Sequence, residues 1–547
     1  MKKFTWLFVL LFIVGITASC KPKDNGDKPD DSNDNKPAID LNDDPNATHV
    51  RVYFECNNGD APIMVEVEKG TRVDKIATPK KEGYLFTNWF ADEALTARFN
   101  FYDKIYNSMI LYAGWIVDNT VDYSYVIENA VPSIVTGNLD LPKESEDGKA
   151  SFTWSSSLPY TINGQGIVNK GREQIEVIMT MEAYDGMVTK EYTKPCVVEP
   201  IEFKNLKQGK MIFGYQSTWN FPGYFTEEQL MVDAINLSFA YVNSDATVDL
   251  SSCKGYFNDF LKVRNDGVRV ILSIQGAGNE TANFSNAAST PEKRTKFAKS
   301  VVDILETYHF DGVDIDWEYP GDDNAIDSEK VRYTLFMEEL YKQVKAANKD
   351  YLVTGALPGG AYGWRRYDLK KLADSMDLIH LMTYDLQSSA TVVHHTALYS
   401  NMPKGTATQA SVNDTVELFT LAGFPLEKLT VGIAFYGRTT ISSRSTDILG
   451  APSKTQAYPT ITYTKIKNDY LSQVGKEVEY HWDNICKAPY LFNKKTNLFV
   501  TYDNEQSILE KCKYAWKKKM AGVMIWELGE DRTMDLMNAV LEGTKRK

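Results

Sequence analysis

The chain is poor in the residues that build metal and redox centres. Six cysteines and six histidines are spread over 547 residues. No Cys-x-x-Cys pair occurs and no histidine cluster accompanies the cysteines, so a zinc site or a dithiol centre lacks a donor set. Cys56, Cys196, Cys253, Cys486 and Cys512 are expected as buried thiols, and no metal or cofactor is expected. Positive charge is also short. Lys and Arg total 60 against 73 Asp and Glu, a net charge of −13 with a pI near 5.2. That balance argues against nucleic acid, whose phosphates require basic patches, and suits a neutral or weakly cationic partner. Long apolar runs are missing as well. Phe4 to Ile16 is too short to cross a bilayer, and no other segment is longer and equally apolar.

What is present falls into segments. Residues 1–20 have the form of a targeting peptide: Lys2 and Lys3, the apolar run, then Thr17-Ala18-Ser19-Cys20. The ending resembles a bacterial lipoprotein signal, with Thr17 in place of the usual large aliphatic. It implies cleavage before Cys20, a lipid on Cys20, a membrane anchor and an outer-membrane lipoprotein exposed at the cell surface. Residues 21–47 hold eight Asp, four Lys and four Pro with almost no bulky apolar side chain. They cannot bury enough surface to offset ordering entropy and are expected as a disordered acidic linker.

Residues 48–117 turn apolar. Val50-Arg51-Val52-Tyr53-Phe54 alternates as a strand does, Asn58-Gly59 signals a turn, and Ile63 to Val67 alternates again. The Gly83-Tyr84, Trp89-Phe90 and Leu111-Tyr112-Ala113-Gly114-Trp115 spacings resemble the internalin-type B-repeat, which implies a β-grasp-like spacer. Residues 118–203 read as short strands between turns, with Trp154 as the candidate core tryptophan, and resemble a bacterial Ig-like β-sandwich.

From 204 to 547 strands and helices alternate. Eight strand candidates follow in order: Met211–Tyr215, Ile235–Tyr241, Val268–Ile274, Gly312–Glu318, Leu352–Leu357, Leu378–Tyr384, Leu429–Phe435 and Gly522–Trp526. Eight is the count for a closed (β/α)8 TIM barrel. Thr290-Pro291 opens a helix with Phe297, Val301, Leu305 and Tyr308 on one face, and Val331, Leu335, Leu340 and Val344 mark the next. The gap between strands seven and eight, about 440–500, is too long for a crossover and implies a small α+β insertion.

Strand four carries the most informative pattern. In Asp311-Gly312-Val313-Asp314-Ile315-Asp316-Trp317-Glu318 the period of two puts Asp314, Asp316 and Glu318 on one face and Val313, Ile315 and Trp317 on the other. Unpaired buried charge is expensive, so an ordinary core strand does not carry such a face. A barrel strand does: its apolar face meets the helices and its acidic face rises to the mouth. Asp311 is off the inward parity and is read as structural.

The pattern Asp311-x-x-Asp314-x-Asp316-x-Glu318 resembles the signature of the glycoside hydrolase family 18 chitinases. Gly214-Tyr215 with Trp219, Ser273-Ile274-Gln275-Gly276, Met382-Thr383-Tyr384-Asp385, Tyr436-Gly437-Arg438 and Trp526 extend the likeness. Gln275 departs from the family's Ser-x-Gly-Gly and puts the local turn in doubt more than the chemistry. The resemblance implies an enzyme, without metal or cofactor, that retains configuration while cleaving chitin or N-acetylglucosamine oligosaccharides internally. It implies Glu318 as general acid, its pKa raised by Asp316 and Asp314, with Asp316 holding the substrate's acetamido N–H. Asp314 shares a proton with Asp316, above Tyr215 and Ser273. Tyr384 bonds the acetamido oxygen, Asp385 bonds a sugar hydroxyl, and Trp526 stacks on the ring, while Trp219, Met382, Tyr436 and Arg438 complete the substrate contacts. An endo-β-N-acetylglucosaminidase acting on N-glycans, a chitin-binding lectin and a surface adhesin remain as alternatives. A monomer is expected, and every candidate catalytic residue follows Lys210, so the two N-terminal modules are expected to be dispensable for hydrolysis.

Overall fold

The computed structural model describes residues 39, 41–45, 47–117, 121–186, 188–321, 326–387, 390–401, 410–455 and 458–546. The targeting peptide with Cys20, and most of the acidic linker, lie outside the described residues. The chain divides into two compact units, one ending at Val121 and the other running from Asp122 to Lys547.

The first unit is a four-stranded mixed sheet of β1 (His49–Glu55), β2 (Ile63–Glu68), β3 (Tyr84–Phe90) and β4 (Met109–Val117), in the order β2-β1-β4-β3. The alternation of its first strand buries Val50, Val52 and Phe54, with Trp89 edge-on to Phe54 at 4.9 Å. The end of the linker is tied into this sheet: the Asp43 carboxylate accepts from the Ser108 backbone N–H and hydroxyl.

The second unit begins with a helix, Ser124–Ala130, and strands β5 (Ile134–Val135), β6 (Ser151–Ser156), β7 (Ile175–Tyr184) and β8 (Thr189–Val198), ordered β5-β8-β7-β6. Trp154 is buried in this module's core and its indole N–H donates to the Pro142 carbonyl. The barrel follows. Its strands are β9 (Met211–Ser217), β10 (Ala234–Val242) with a short hairpin strand β11 (Val248–Asp249), β12 (Arg269–Ala277), β13 (Gly312–Glu318), β14 (Leu352–Pro358), β15 (Leu378–Met382) and β16 (Leu429–Ala434). The insertion then adds an antiparallel sheet of β17 (Tyr436–Ile441), β18 (Thr460–Thr462), β19 (Val478–Asp483), β20 (Ala488–Asn493) and β21 (Leu498–Tyr502) before β22 (Gly522–Trp526). Parallel pairing runs β9-β10-β12-β13-β14-β15-β16-β22 and returns to β9, which closes an eight-stranded parallel barrel.

Two apolar layers follow from strand alternation. Val313, Ile315 and Trp317 face outward into the helix layer, where Trp317 stacks on Phe284 at 5.2 Å. Phe213, Tyr215, Phe239, Ile271, Tyr384 and Met524 fill the inside. Gly312 is needed where β13 meets β14, because a Cβ there would sit 2.3 Å from the Leu352 carbonyl oxygen. Helix Pro291–Tyr308 is capped by Thr290 and buries the predicted face. The helix Ile326–Ala347 differs from expectation: Val331 and Leu335 are exposed, while Tyr333, Phe336, Met337, Leu340 and Val344 are buried. The aromatic surface of Trp317 selects that face, with Tyr333 5.8 Å from it.

The module before the barrel grips the foot of β13. Arg264, fully buried, donates from Nε and Nη2 to both oxygens of Asp311, at 2.8 and 3.0 Å. Its remaining nitrogen donates to the Asn169 side chain and the Lys170 carbonyl of the preceding module. Asn169 donates in turn to the Tyr308 carbonyl, and Arg172 reaches Asp311 at 3.3 Å. Asp311 thus serves as the anchor of the strand that carries the acids.

Candidate active site

Register and parity assemble the acids. On β12, Ser273 pairs with Asp314, Gln275 with Asp316 and Ala277 with Glu318, and on β14 Thr354 pairs with Asp314. Asp314, deepest of the three, accepts hydroxyl bonds from Tyr215 (2.8 Å), Ser273 (2.8 Å) and Thr354 (2.6 Å). Asp316 is buried too, but among the described residues only its Oδ2 has a partner, the Gln275 amide at 3.2 Å, and Oδ1 has none. Hydroxyls from β9, β12 and β14 thus occupy Asp314, and among the described residues no hydrogen bond joins it to Asp316. Burial pushes the Asp316 carboxyl well above the usual range, and the charges of Glu318 and Asp314 push it further. Glu318 ends β13 at the mouth. Its pKa is also raised, first by burial and then by the charge of Asp385, while the Tyr319 hydroxyl and the Gln275 amide oppose the rise. Asp316 and Glu318 titrate as a coupled pair.

Above them lies one cavity of about 280 Å3. Glu318, Asp316, Tyr215, Met382, Tyr384, Asp385, Tyr436, Arg438 and Trp526 all line it. Asp314 and Ser273 do not; they sit below Asp316 as its floor. Trp219 lies outside the cavity, 64% exposed on the turn after β9, with its ring 6.0 Å from Phe239. Phe239 stacks nearly parallel to Trp526 at 5.6 Å and fixes the plane of that indole.

Strand β15 ends at Met382, two residues before the predicted end, and Tyr384 and Asp385 lie in the turn beyond. Asp385 has φ of 56°, in the left-handed region. Its carboxylate accepts a two-pronged pair from Arg438 Nε and Nη2. Burial opposes charge there, yet the Arg438 guanidinium, and the His395 imidazole 3.6 Å away, outweigh it and hold the carboxyl far below its usual range. The His395 carbonyl also accepts from the Leu386 N–H. The insertion is fixed to the barrel nearby by a buried ion pair, Lys511 to Asp503 at 2.6 Å, whose carboxylate also accepts from the Ala434 N–H. Among the described residues, His394, Asp483 and Cys486 place three potential metal donors within 4.8 Å. Asp483 is already engaged, accepting the Ile485 and Cys486 N–H groups and bonding His394 at 3.2 Å. The five described cysteines are buried free thiols.

Of the lining residues left without a role in the site by the sequence reading, two lie against the acids. Tyr319 follows Glu318 at the mouth, where its hydroxyl favours the charged form of that acid, and Gln275 enters the cavity beside Asp316. Parity held the signal for Gln275, which shares the inward face of β12 with Ser273.

Residues 211–531 match the family model described as glycosyl hydrolases family 18, and residues 51–114 match the Listeria-Bacteroides repeat domain. Chitotriosidase-1 of Mus musculus is 32% identical over 283 residues, which cover 50% of this chain and 60% of the mouse protein. Chitinase B of Serratia marcescens is 30% identical over 380 residues, covering 56% of this chain and 74% of that relative. The solved structure of a glycoside hydrolase family 18 N-acetylglucosaminidase from Paenibacillus barengoltzii is 31% identical with a TM-score of 0.55, and covers 61% of this chain and 99% of that one. The family match spans the whole barrel, acids and insertion together, and by it the chain belongs to the glycosyl hydrolases of family 18.

Proposed function

We propose that the chain cleaves β-1,4-linked N-acetylglucosamine polymers internally, using the substrate's own acetamido group as nucleophile. The observation that carries this reading is the pairing of Glu318 at the mouth with a buried, incompletely bonded Asp316 one position deeper. Glu318, its pKa raised by burial, gives its proton to the leaving oxygen as the C1–O bond breaks. The acetamido oxygen attacks C1 from the opposite face and closes an oxazolinium ring. Asp316 accepts the acetamido N–H and offsets the positive charge, and Tyr384 donates to the acetamido oxygen. Water, deprotonated by Glu318, then opens the ring at C1, so two inversions leave the β-configuration. A substrate-supplied nucleophile departs from the usual two-carboxylate pair, and it leaves Asp316 to hold the acetamido group rather than to attack C1. Trp526, braced by Phe239, supplies the sugar platform, and Asp385, held by Arg438, accepts a sugar hydroxyl.

The names of the mouse and Serratia relatives support chitin as substrate. The Paenibacillus neighbour favours a second reading, release of N-acetylglucosamine residues. Product analysis on chito-oligosaccharides beside a biantennary glycopeptide separates these readings: internal products from the former alone support endo-chitinase action. Cleavage of the glycopeptide alone overturns it, and so does release of single sugars only. Loss of turnover by about 10²–10⁴ in Glu318→Gln ties the activity to this acid. We also propose that Cys20 is lipidated and holds a monomeric enzyme at the outer membrane, with the first unit as a B-repeat-type spacer and an Ig-like module behind the barrel. Cys20→Ala then moves the protein to the soluble fraction with specific activity unchanged; continued pelleting with membranes refutes the anchor.

A further inference from the structure

Gln275 stands where the sequence pattern led us to expect glycine. It is half-buried on the inward face of β12, in register with Asp316, and it lines the cavity. Its amide nitrogen donates to Asp316 Oδ2 at 3.2 Å, and among the described residues no other donor reaches Asp316. Asp314 cannot help, being itself an acceptor for three hydroxyls. We propose that Gln275 is a positioning residue: its amide fixes Asp316 through Oδ2 and leaves Oδ1 free to receive the substrate's acetamido N–H. This inference rests on the substrate-assisted reading above.

The chemistry of the side chain suits that task. A primary amide donates without carrying charge, so it favours the ionised carboxyl without the strong pinning an arginine would impose. A glycine leaves Asp316 with no donor at all, and a buried carboxylate in that state is costly. The same amide favours the charged form of Glu318, so one side chain biases both acids in one direction. The other ionisable groups facing the pair are Asp314 on β13, Tyr215 on β9, Tyr333 on the helix Ile326–Ala347, Tyr367 beside that helix, and Tyr319, Tyr384 and Asp385 on the loops at the mouth. None of them donates a hydrogen bond to Asp316 among the described residues. Arg438, a cation on the same cavity wall, is paired to Asp385.

The test uses the full chain with Gln275→Leu, which fills the space, and Gln275→Gly, which empties it. Both remove the donor, so both raise the acid pKa values. The bell of kcat/KM against pH on a chito-oligosaccharide should move upward, its acidic limb by about one pH unit, with kcat down about ten-fold, the scale of one hydrogen bond to a charged group. Profiles of both variants superimposing on that of an active wild type overturn the proposal. A wild type inert on chito-oligosaccharides refutes the functional reading instead. The positioning claim is then decided by melting midpoints between pH 4 and 9. A donor to a charged carboxyl predicts a deficit in both variants that widens as pH rises, and an offset constant with pH overturns it.

Discussion

Replacing Asp316 by Asn puts the electrostatics of the acid strand to a stability test. Asp316 is 3% exposed, its Oδ1 has no partner among the described residues, and Asp314 and Glu318 flank it on the same face. Its folded pKa is raised above the unfolded value, so in the window between them the folded state binds more protons. Stability is therefore fully present below the unfolded pKa and is lost as pH rises through the folded pKa. Asparagine removes the ionisation and adds a donor that can face Asp314. Relief of one buried, under-bonded carboxylate is on the order of 1–3 kcal/mol, which corresponds to about 1–1.5 °C per kcal/mol for a barrel of this size. The expected outcome is a higher melting midpoint for Asp316→Asn at pH 8 and a gap that closes towards pH 4, together with a large loss of turnover. Differential scanning calorimetry of both proteins across that range decides it. A variant less stable than wild type by the same margin at every pH refutes the reasoning, because Asp316 would then be held by contacts rather than penalised for charge.

Two further outcomes follow from the geometry. Trp526→Ala removes the platform stacked on Phe239 and should weaken oligosaccharide binding by about 1–3 kcal/mol, measured by calorimetric titration, on the scale of a lost aromatic anchor; unchanged binding in a folded variant would make the indole a packing residue. A chain beginning at Lys204 keeps every candidate catalytic residue but takes Asn169, Lys170 and Arg172 away from the buried Arg264–Asp311 pair. It should lose about 3 kcal/mol of stability, seen as a lower thermal midpoint, while kcat on short oligosaccharides at low temperature stays within about two-fold.

The barrel and its acids were legible in the sequence because both depend on period-two alternation within one strand. Val313, Ile315 and Trp317 could only be outward if Asp314, Asp316 and Glu318 were inward. The buried face of the helix Ile326–Ala347 was not legible. Its sequence offers apolar residues on two faces, and Trp317, reached only through the fold, chooses between them. The end of β15 was overrun for a related reason: Met382-Thr383-Tyr384 alternates like a strand, but the left-handed backbone at Asp385 is set by partners from distant segments, Arg438 and His395. Separating the modules by composition hid the dependence of the barrel on what precedes it. The Arg264–Asn169 contact joins residues 95 positions apart, and no local pattern marks it. Gln275 was visible as a departure, yet its consequence needed the register that sets it beside Asp316.

The central claim, that the substrate's acetamido group is the nucleophile and Glu318 the acid, is tested most directly by the anomer first released. Proton NMR during the opening minutes of chito-oligosaccharide hydrolysis, before mutarotation, reads it from the anomeric signals. The account predicts β-product first, and no cleavage when the unit on the glycon side of the scissile bond carries a free amine in place of the acetamide. An initial α-product, or brisk cleavage of the amine-bearing substrate, would contradict it.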